Sequence, residues 1–172
     1  VEELRAKHNL PPDVPVFLFV GRLMWYKGAR IILDGLKEIA AEGKDFRMIF
    51  VGDSVERPEI EAYAKTLGIS DRCIFTGAIH NRETIRGYFT LSDLFLFPSS
   101  FDTNGIVVRE AAACGKASVL LKDSCASEGI EDGKTGLLID ENGESMAKCL
   151  SYACNNREKL KVLGQSAMDD IY

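Results

Sequence analysis

Two short stretches of the sequence combine cations, small residues and helix-opening signals: "GRLMWYKG" at 21–28 and "SSFDTNGIVVREAAACG" at 99–115. In the first, Gly21 allows a tight turn and leaves room for a ligand to approach the backbone. Arg22 offers a planar fork of donors suited to phosphate oxygens, and Lys27 adds a compact point charge. Gly28 and Ala29 then open a helix, whose first N–H groups have no partner within the helix and favour an anion. Three sources of positive potential therefore meet on one loop. The competing reading makes Arg22 and Lys27 ordinary solvated charges. Neither G-x-G-x-x-G nor G-K-[ST] occurs, so the dinucleotide fingerprint and the P-loop are both absent. Met24, Trp25 and Tyr26 either staple the turn onto the helix that follows or face another domain, an acceptor or a membrane.

In the second stretch Pro98 stops an apolar run, and Asp102, Thr103 and Asn104 are all plausible helix caps. Gly105 falls at or near the first turn, where a missing side chain exposes the amides to a second anion. Glu110 lies on an otherwise apolar helix, and helical side chains lean towards the N-terminus, so its carboxylate is expected to reach back towards the ligand end. Arg109, about 100° further round the helix, is expected to face elsewhere. A carboxylate in such a setting needs hydrogen-bonding partners, and paired sugar hydroxyls are good ones. The alternative is that Arg109 and Glu110 form a narrow solvated stripe.

The elements that must position these residues alternate strand and helix along the chain. Strands are expected at Val16–Val20, Arg47–Val51, Cys73–Thr76, Asp93–Phe97, Ala117–Leu121 and Gly136–Ile139. Helices are expected at Ala29–Ala41, Glu56–Leu67, Glu83–Thr90, Gly105–Cys114, Glu144–Cys154 and Arg157–Ile171. Runs such as "VFLFV", "MIFV" and "LFLF" lack polar alternation, as strands buried on both faces do. The fold class is therefore α/β: a Rossmann-like, doubly wound parallel β-sheet with helices on both faces. Ligands of such sheets sit beyond the carboxyl ends of the strands, which selects the loops after Val20, Val51, Thr76 and Phe97.

The chain has 172 residues, of which 46% are hydrophobic, enough for one well-buried core, so 1–172 reads as a single domain. A net charge of −5 argues against a general nucleic-acid partner. The five cysteines are odd in number and contain no C-x-x-C pair, which suits a reducing compartment rather than a disulfide framework or a zinc site. No run is long enough to span a membrane and no secretory signal is visible. The chain starts at Val1 and its first strand comes late, from which a piece of a longer protein is expected.

Taken together, "GRLMWYKG", "DLFLFPSSFDTNGIVVREAAACG" and "EDGKTGLLID" resemble, in order, the C-terminal half of a GT-B glycosyltransferase of family GT4. The resemblance runs from about Val16 onward. It implies a nucleotide-sugar-binding domain that lacks its N-terminal acceptor domain. Family members carry two glutamates separated by seven residues; Glu110 matches the second, which holds the donor ribose, and Asp102 stands at the first, beside the transferred sugar. Aspartate is one methylene shorter, which bears on donor choice. Arg22 and Lys27, after Gly21, match the pair that holds the donor diphosphate, and with Asp102 they form the implied catalytic set. Asn104, Gly105, Ile106 and Val107 match the turn beside the phosphates, and Ile79 with the backbone of His80 falls where the base packs. Ordinary core packing is the competing reading of Ile79. "EDGKTGLL", with Gly133 and Gly136, is expected to supply a turn and no chemistry.

The implied reaction is transfer of a sugar from a nucleoside diphosphate to an acceptor hydroxyl with retention of anomeric configuration. Arg22, Lys27 and helix amides would stabilise the leaving charge, with no metal and no cofactor. The sequence has no DxD-type metal signature. Family habits favour UDP-sugars over GDP-mannose and ADP-glucose. The implied location is cytoplasmic, with peripheral contact at the inner membrane surface if the acceptor is a lipid. Two other classes stay open, a non-catalytic nucleotide-binding module and a sugar-nucleotide epimerase on the same fold; the two-carboxylate motif argues against the epimerase.

Overall fold

The computed structural model describes residues 1–100 and 105–171. Six strands form one all-parallel sheet in the order β3-β2-β1-β4-β5-β6. They are β1 (Val16–Val20), β2 (Arg47–Val51), β3 (Cys73–Gly77), β4 (Leu94–Phe97), β5 (Ser118–Leu121) and β6 (Leu137–Ile139). The helices are α1 (Glu2–Lys7), α2 (Ala29–Ala41), α3 (Arg57–Thr66), α4 (Arg82–Leu91), α5 (Ile106–Ala113), α6 (Gly143–Asn155) and α7 (Arg157–Asp170). Helix α2 packs against α3 and α6, while α4 and α5 form the walls of one cleft and carry α1 and α7 against them. All the strands and helices expected from the sequence are present.

The apolar runs are buried as their composition requires: Phe17, Leu18, Met48, Ile49, Phe50 and Leu94–Leu96 are inaccessible to solvent. Aromatic rings cross four strands near the carboxyl edge. Phe75 stacks on Phe50 at 4.9 Å, Phe50 meets Phe19 at 6.0 Å, and Phe19 stacks on Phe97 at 6.1 Å. Each such pair contributes about 0.5–1.5 kcal/mol beyond burial, so the row ties together the strand ends from which the ligand loops leave. At the amino edge, Asp93 accepts from the Val16 N–H at 2.8 Å and from Arg157 at 3.2 Å.

The chain winds from β1 out through β2 to β3, then returns to place β4 on the other side of β1. The loops after β1 and β4 leave this switch point in opposite directions and open a crevice between them. These are the two loops with the chemistry-bearing sequences. They touch at Gly28, whose φ is +94°. A Cβ there would lie 2.3 Å from the Pro98 carbonyl oxygen.

Helix α1 was not expected from the sequence, because it has no buried residue and so no apolar period. It lies on α4. A Cβ on Gly87 would come within 2.8 Å of Leu4, and His8, just beyond the helix, meets the Tyr88 hydroxyl at 2.8 Å.

Two measurements test these contacts. Gly28→Ala combines left-handed backbone strain with a clash against backbone, and should lower unfolding stability by about 2–4 kcal/mol in urea titrations. His8 is held below its ordinary pKa, first by burial and then by the charge of Lys7. The unfolded chain takes up this proton near pH ~6.5, the folded one only at lower pH. The contribution of neutral His8 is therefore complete above that pH and lost as pH falls through the folded value. The urea midpoint of the unaltered chain should fall more steeply on acidification from about pH 7.5 to 5 than that of His8→Gln.

Candidate functional site

The first wall of the crevice is the loop from Gly21 to Gly28. Gly21 extends the β1 ladder by donating to the Val51 carbonyl at 3.0 Å. The next loop crosses it so closely that a Cβ on Gly52 would lie 1.7 Å from the Gly21 carbonyl oxygen. Arg22 then points into solvent, and its guanidinium has no partner among the described residues. Trp25–Lys27 form a single 3-10 turn, closed by Gly28 donating to Trp25. The turn brings the half-buried Lys27 back over the sheet edge. Its ammonium lies 5.5 Å from the Tyr26 ring centroid and 5.7 Å from that of Phe97, the last residue of β4. A cation–π approach of this kind keeps the charge at the strand end. Lys27 is thus brought to the strand that leads into α5, as the sequence motifs require.

Of Met24, Trp25 and Tyr26, it is Trp25 that staples the turn. Its indole meets Tyr63 of α3 edge-on at 5.8 Å, and the Arg30 guanidinium of α2 lies 5.2 Å from it. Tyr26 is 43% exposed at the carboxyl edge.

The second wall begins at Gly105, which takes the N-cap position of α5 and has no side chain to offer as a cap. Among the described residues nothing lies within 4 Å of where its Cβ would be. Val107 packs against the core and Ile106 is 57% exposed. Asp102 and Asn104 lie outside the described residues.

From this helix start a cleft of about 870 Å³ runs between α4 and α5. Ile79, His80 and Ile106 line it with Glu110, so four of the residues singled out in the sequence share one cavity. Ile79 is half-buried and also packs on the core, as its competing reading expected; His80 is exposed. The α5 wall is Ile106, Arg109, Glu110 and Ala113, and the α4 wall is Arg82, Ile85, Arg86 and Phe89. Both sets follow the i, i+3, i+4, i+7 spacing of one helix face. Arg109 was expected to face away from Glu110 and does not. A stripe with this spacing is at least about 100° wide, and the cleft is broad enough to take all of it. The sequence signal for the α4 wall, an arginine-bearing stripe of the same spacing, was present but not read.

Glu110 is half-buried and has no hydrogen bond or ion pair among the described residues. Cys114 closes the far end of the cleft, where burial pushes its thiol up against the opposing pull of a Thr90 hydrogen bond and of Arg86. No three His, Cys, Asp or Glu side chains among the described residues are grouped to hold a metal ion. "EDGKTGLL" forms a turn, in which Gly133 donates to Gly136 at 2.8 Å and Asp132 accepts from Leu138 at 3.0 Å.

Sheet order, crevice and loops define a Rossmann-like α/β domain with its site at the switch point. The family model of the glycosyl transferases group 1 matches residues 1–171. The α-D-kanosaminyltransferase of Streptomyces kanamyceticus is 31% identical over 137 residues, which are 80% of this chain and 35% of that protein. Among solved structures, sucrose-phosphate synthase from Thermosynechococcus elongatus superposes with a TM-score of 0.87 at 25% identity, over 99% of this chain and 43% of that one. Anabaena Alr3699/HepE, solved in complex with UDP and glucose, shares the fold with a TM-score of 0.84 at 24% identity, over 98% of this chain and 46% of that one. The chain belongs to the glycosyl transferases group 1 family. It spans about a third of the length of the curated relatives it matches.

Proposed function

We propose that this chain is the donor-binding domain of a retaining glycosyltransferase of the GT4 type. It holds a nucleoside-diphosphate sugar for transfer to an acceptor hydroxyl bound by an N-terminal half of the longer protein. The observation that carries this reading is the cleft between α4 and α5. It starts where α5 begins, beyond the strand end that Lys27 reaches, and one wall bears a half-buried carboxylate with no hydrogen bond or ion pair among the described residues. A carboxylate so placed is completed by a ligand that donates hydrogen bonds, and ribose hydroxyls supply them to Glu110. The base packs against Ile79 and the backbone of His80. The diphosphate lies over the start of α5, at Gly105, Ile106 and Val107, with Lys27 beside it and Arg22 reaching in from the rim.

In the reaction, the bond between the anomeric carbon and the diphosphate oxygen breaks as the acceptor oxygen attacks from the same face. Negative charge grows on the diphosphate. Lys27, Arg22 and the helix dipole meet that charge with donors already in place, and this preorganisation lowers the barrier without a metal ion or other cofactor. Asp102 belongs beside the sugar in this scheme, and Asn104 beside the phosphates. Family habit points to a UDP-sugar, and the related fold of Anabaena HepE is described with UDP bound. No helix among the described residues is long and apolar enough to cross a membrane. In this reading the protein is cytoplasmic, touching the membrane surface only if its acceptor is a lipid, as the family resemblance implies.

Two experiments bear on this reading. The chain should bind UDP, GDP or ADP equally well with EDTA and with magnesium or manganese, and Glu110→Gln should weaken that binding about tenfold with little change in urea midpoint. An absolute need for divalent metal, or unchanged affinity in Glu110→Gln, would overturn the site as drawn. The longer protein should transfer sugar with the donor's anomeric configuration retained, read by NMR of the product. The chain alone should not, because the orientation of donor against acceptor, about 7–11 kcal/mol of barrier lowering, requires both halves. An inverted product would overturn the retaining assignment.

A further inference from the structure

The loop that carries Arg22 and Lys27 is gripped by a neighbouring loop. The β2–α3 loop holds it at three successive points. The Leu23 N–H donates to the Asp53 carbonyl at 3.4 Å, the Ser54 hydroxyl donates to the Leu23 carbonyl at 2.5 Å, and the Trp25 N–H donates to Glu56 Oε1 at 3.0 Å. Ser54 is itself fixed, since its hydroxyl accepts from the Glu56 N–H at 3.0 Å. The Trp25 ring is then wedged among side chains. Tyr63 meets it edge-on, the Arg30 guanidinium lies 4.7 Å from the Tyr63 centroid, and the Tyr63 hydroxyl donates to Asp34. Apolar packing alone would be served by a ring in many orientations. Here individual backbone groups of residues 23–25 are held, which sets the path of the loop into the 25–27 turn.

We infer that Glu56 and Trp25 are positioning residues, which fix the 25–27 turn so that the Lys27 ammonium stands where a donor diphosphate needs it. This inference rests on the donor-binding reading given above. Lysine has a flexible four-carbon stem, so its charge is pre-placed only if the backbone that carries it is fixed. A loose turn would have to be ordered on binding, at a cost in affinity. Glu56 acts here as an acceptor for one N–H. Its negative charge is incidental, so glutamine, which keeps the oxygen, should replace it.

The chain's single tryptophan is Trp25, which makes the grip directly observable. Affinities for UDP and for uridine are measured by calorimetry in the unaltered chain, Glu56→Ala, Glu56→Gln and Ser54→Ala, with tryptophan emission and urea midpoints recorded alongside. Glu56→Ala should bind UDP about tenfold more weakly, the loss expected for one charge-assisted contact's worth of order. Its uridine affinity should stay within about twofold, and its tryptophan emission should shift to the red. Glu56→Gln should stay close to the unaltered chain in all three readouts, and Ser54→Ala should move in the direction of Glu56→Ala. A purely structural role would lower the urea midpoint while leaving UDP affinity unchanged, or would weaken uridine and UDP equally; either result overturns the inference alone. If the unaltered chain binds neither ligand, the donor-binding reading fails, and the positioning role falls with it.

Discussion

The site depends on one close approach, that of Gly28 to the carbonyl of Pro98. It occurs where the strand order reverses, and it sets how far apart the loops after β1 and β4 can stand. A side chain at position 28 would have to displace backbone, which would push the lysine turn away from the start of α5. The aromatic row Phe75–Phe50–Phe19–Phe97 lies under this junction and holds the strand ends together. Lys27 rests over the last ring of that row. Core packing and site geometry are thus continuous: the ring that completes the core on β4 is also the surface against which the candidate phosphate-binding charge lies.

The family membership and the geometry support each other at different levels. Membership follows from the match along the chain, and the all-parallel sheet agrees with it. The cleft adds a local argument that does not depend on likeness. Two helix faces, each marked by the same spacing, confront one another and carry between them a carboxylate with no hydrogen bond or ion pair among the described residues. Arg82, Arg86 and Arg109 make that cleft more basic than the net charge of the chain would suggest.

The strands were legible in the sequence because each is an apolar run bounded by glycine, proline or charge, and burial on both faces leaves no polar alternation to confuse the reading. Residues 47–51 and 16–20 fall where they were expected for that reason. The candidate site was legible where a residue type falls in a local pattern: glycine and lysine at a helix start, a carboxylate one turn into another. It was not legible where contacts depend on residues distant in sequence. The grip of Ser54 and Glu56 on Leu23 and Trp25 spans 31 residues and leaves no periodic trace. Arg109 was placed wrongly because the angle between neighbouring side chains was treated as decisive, whereas a broad cleft accommodates a whole stripe. Helix α1 was missed because it has no fully buried residue and so no apolar period.

The topology also bears on how freely such a domain can change its length. Val16 pairs with Arg47, 31 residues on, while the register on the other side joins Phe17 to Leu94, 77 residues on. Chain-closure entropy grows only logarithmically, at about 0.6 kcal/mol per doubling of the loop, so the longer excursion costs under about 1 kcal/mol more than the shorter. The crevice is closed by hydrogen bonds between β1 and β4 and by the contact at Gly28, whatever the length of chain between them. Insertions in the outer excursion through β2 and β3 therefore carry little entropic penalty and need not disturb the junction. Those that reach the Val51–Glu56 segment or displace Tyr63 would alter the loop that bears Lys27.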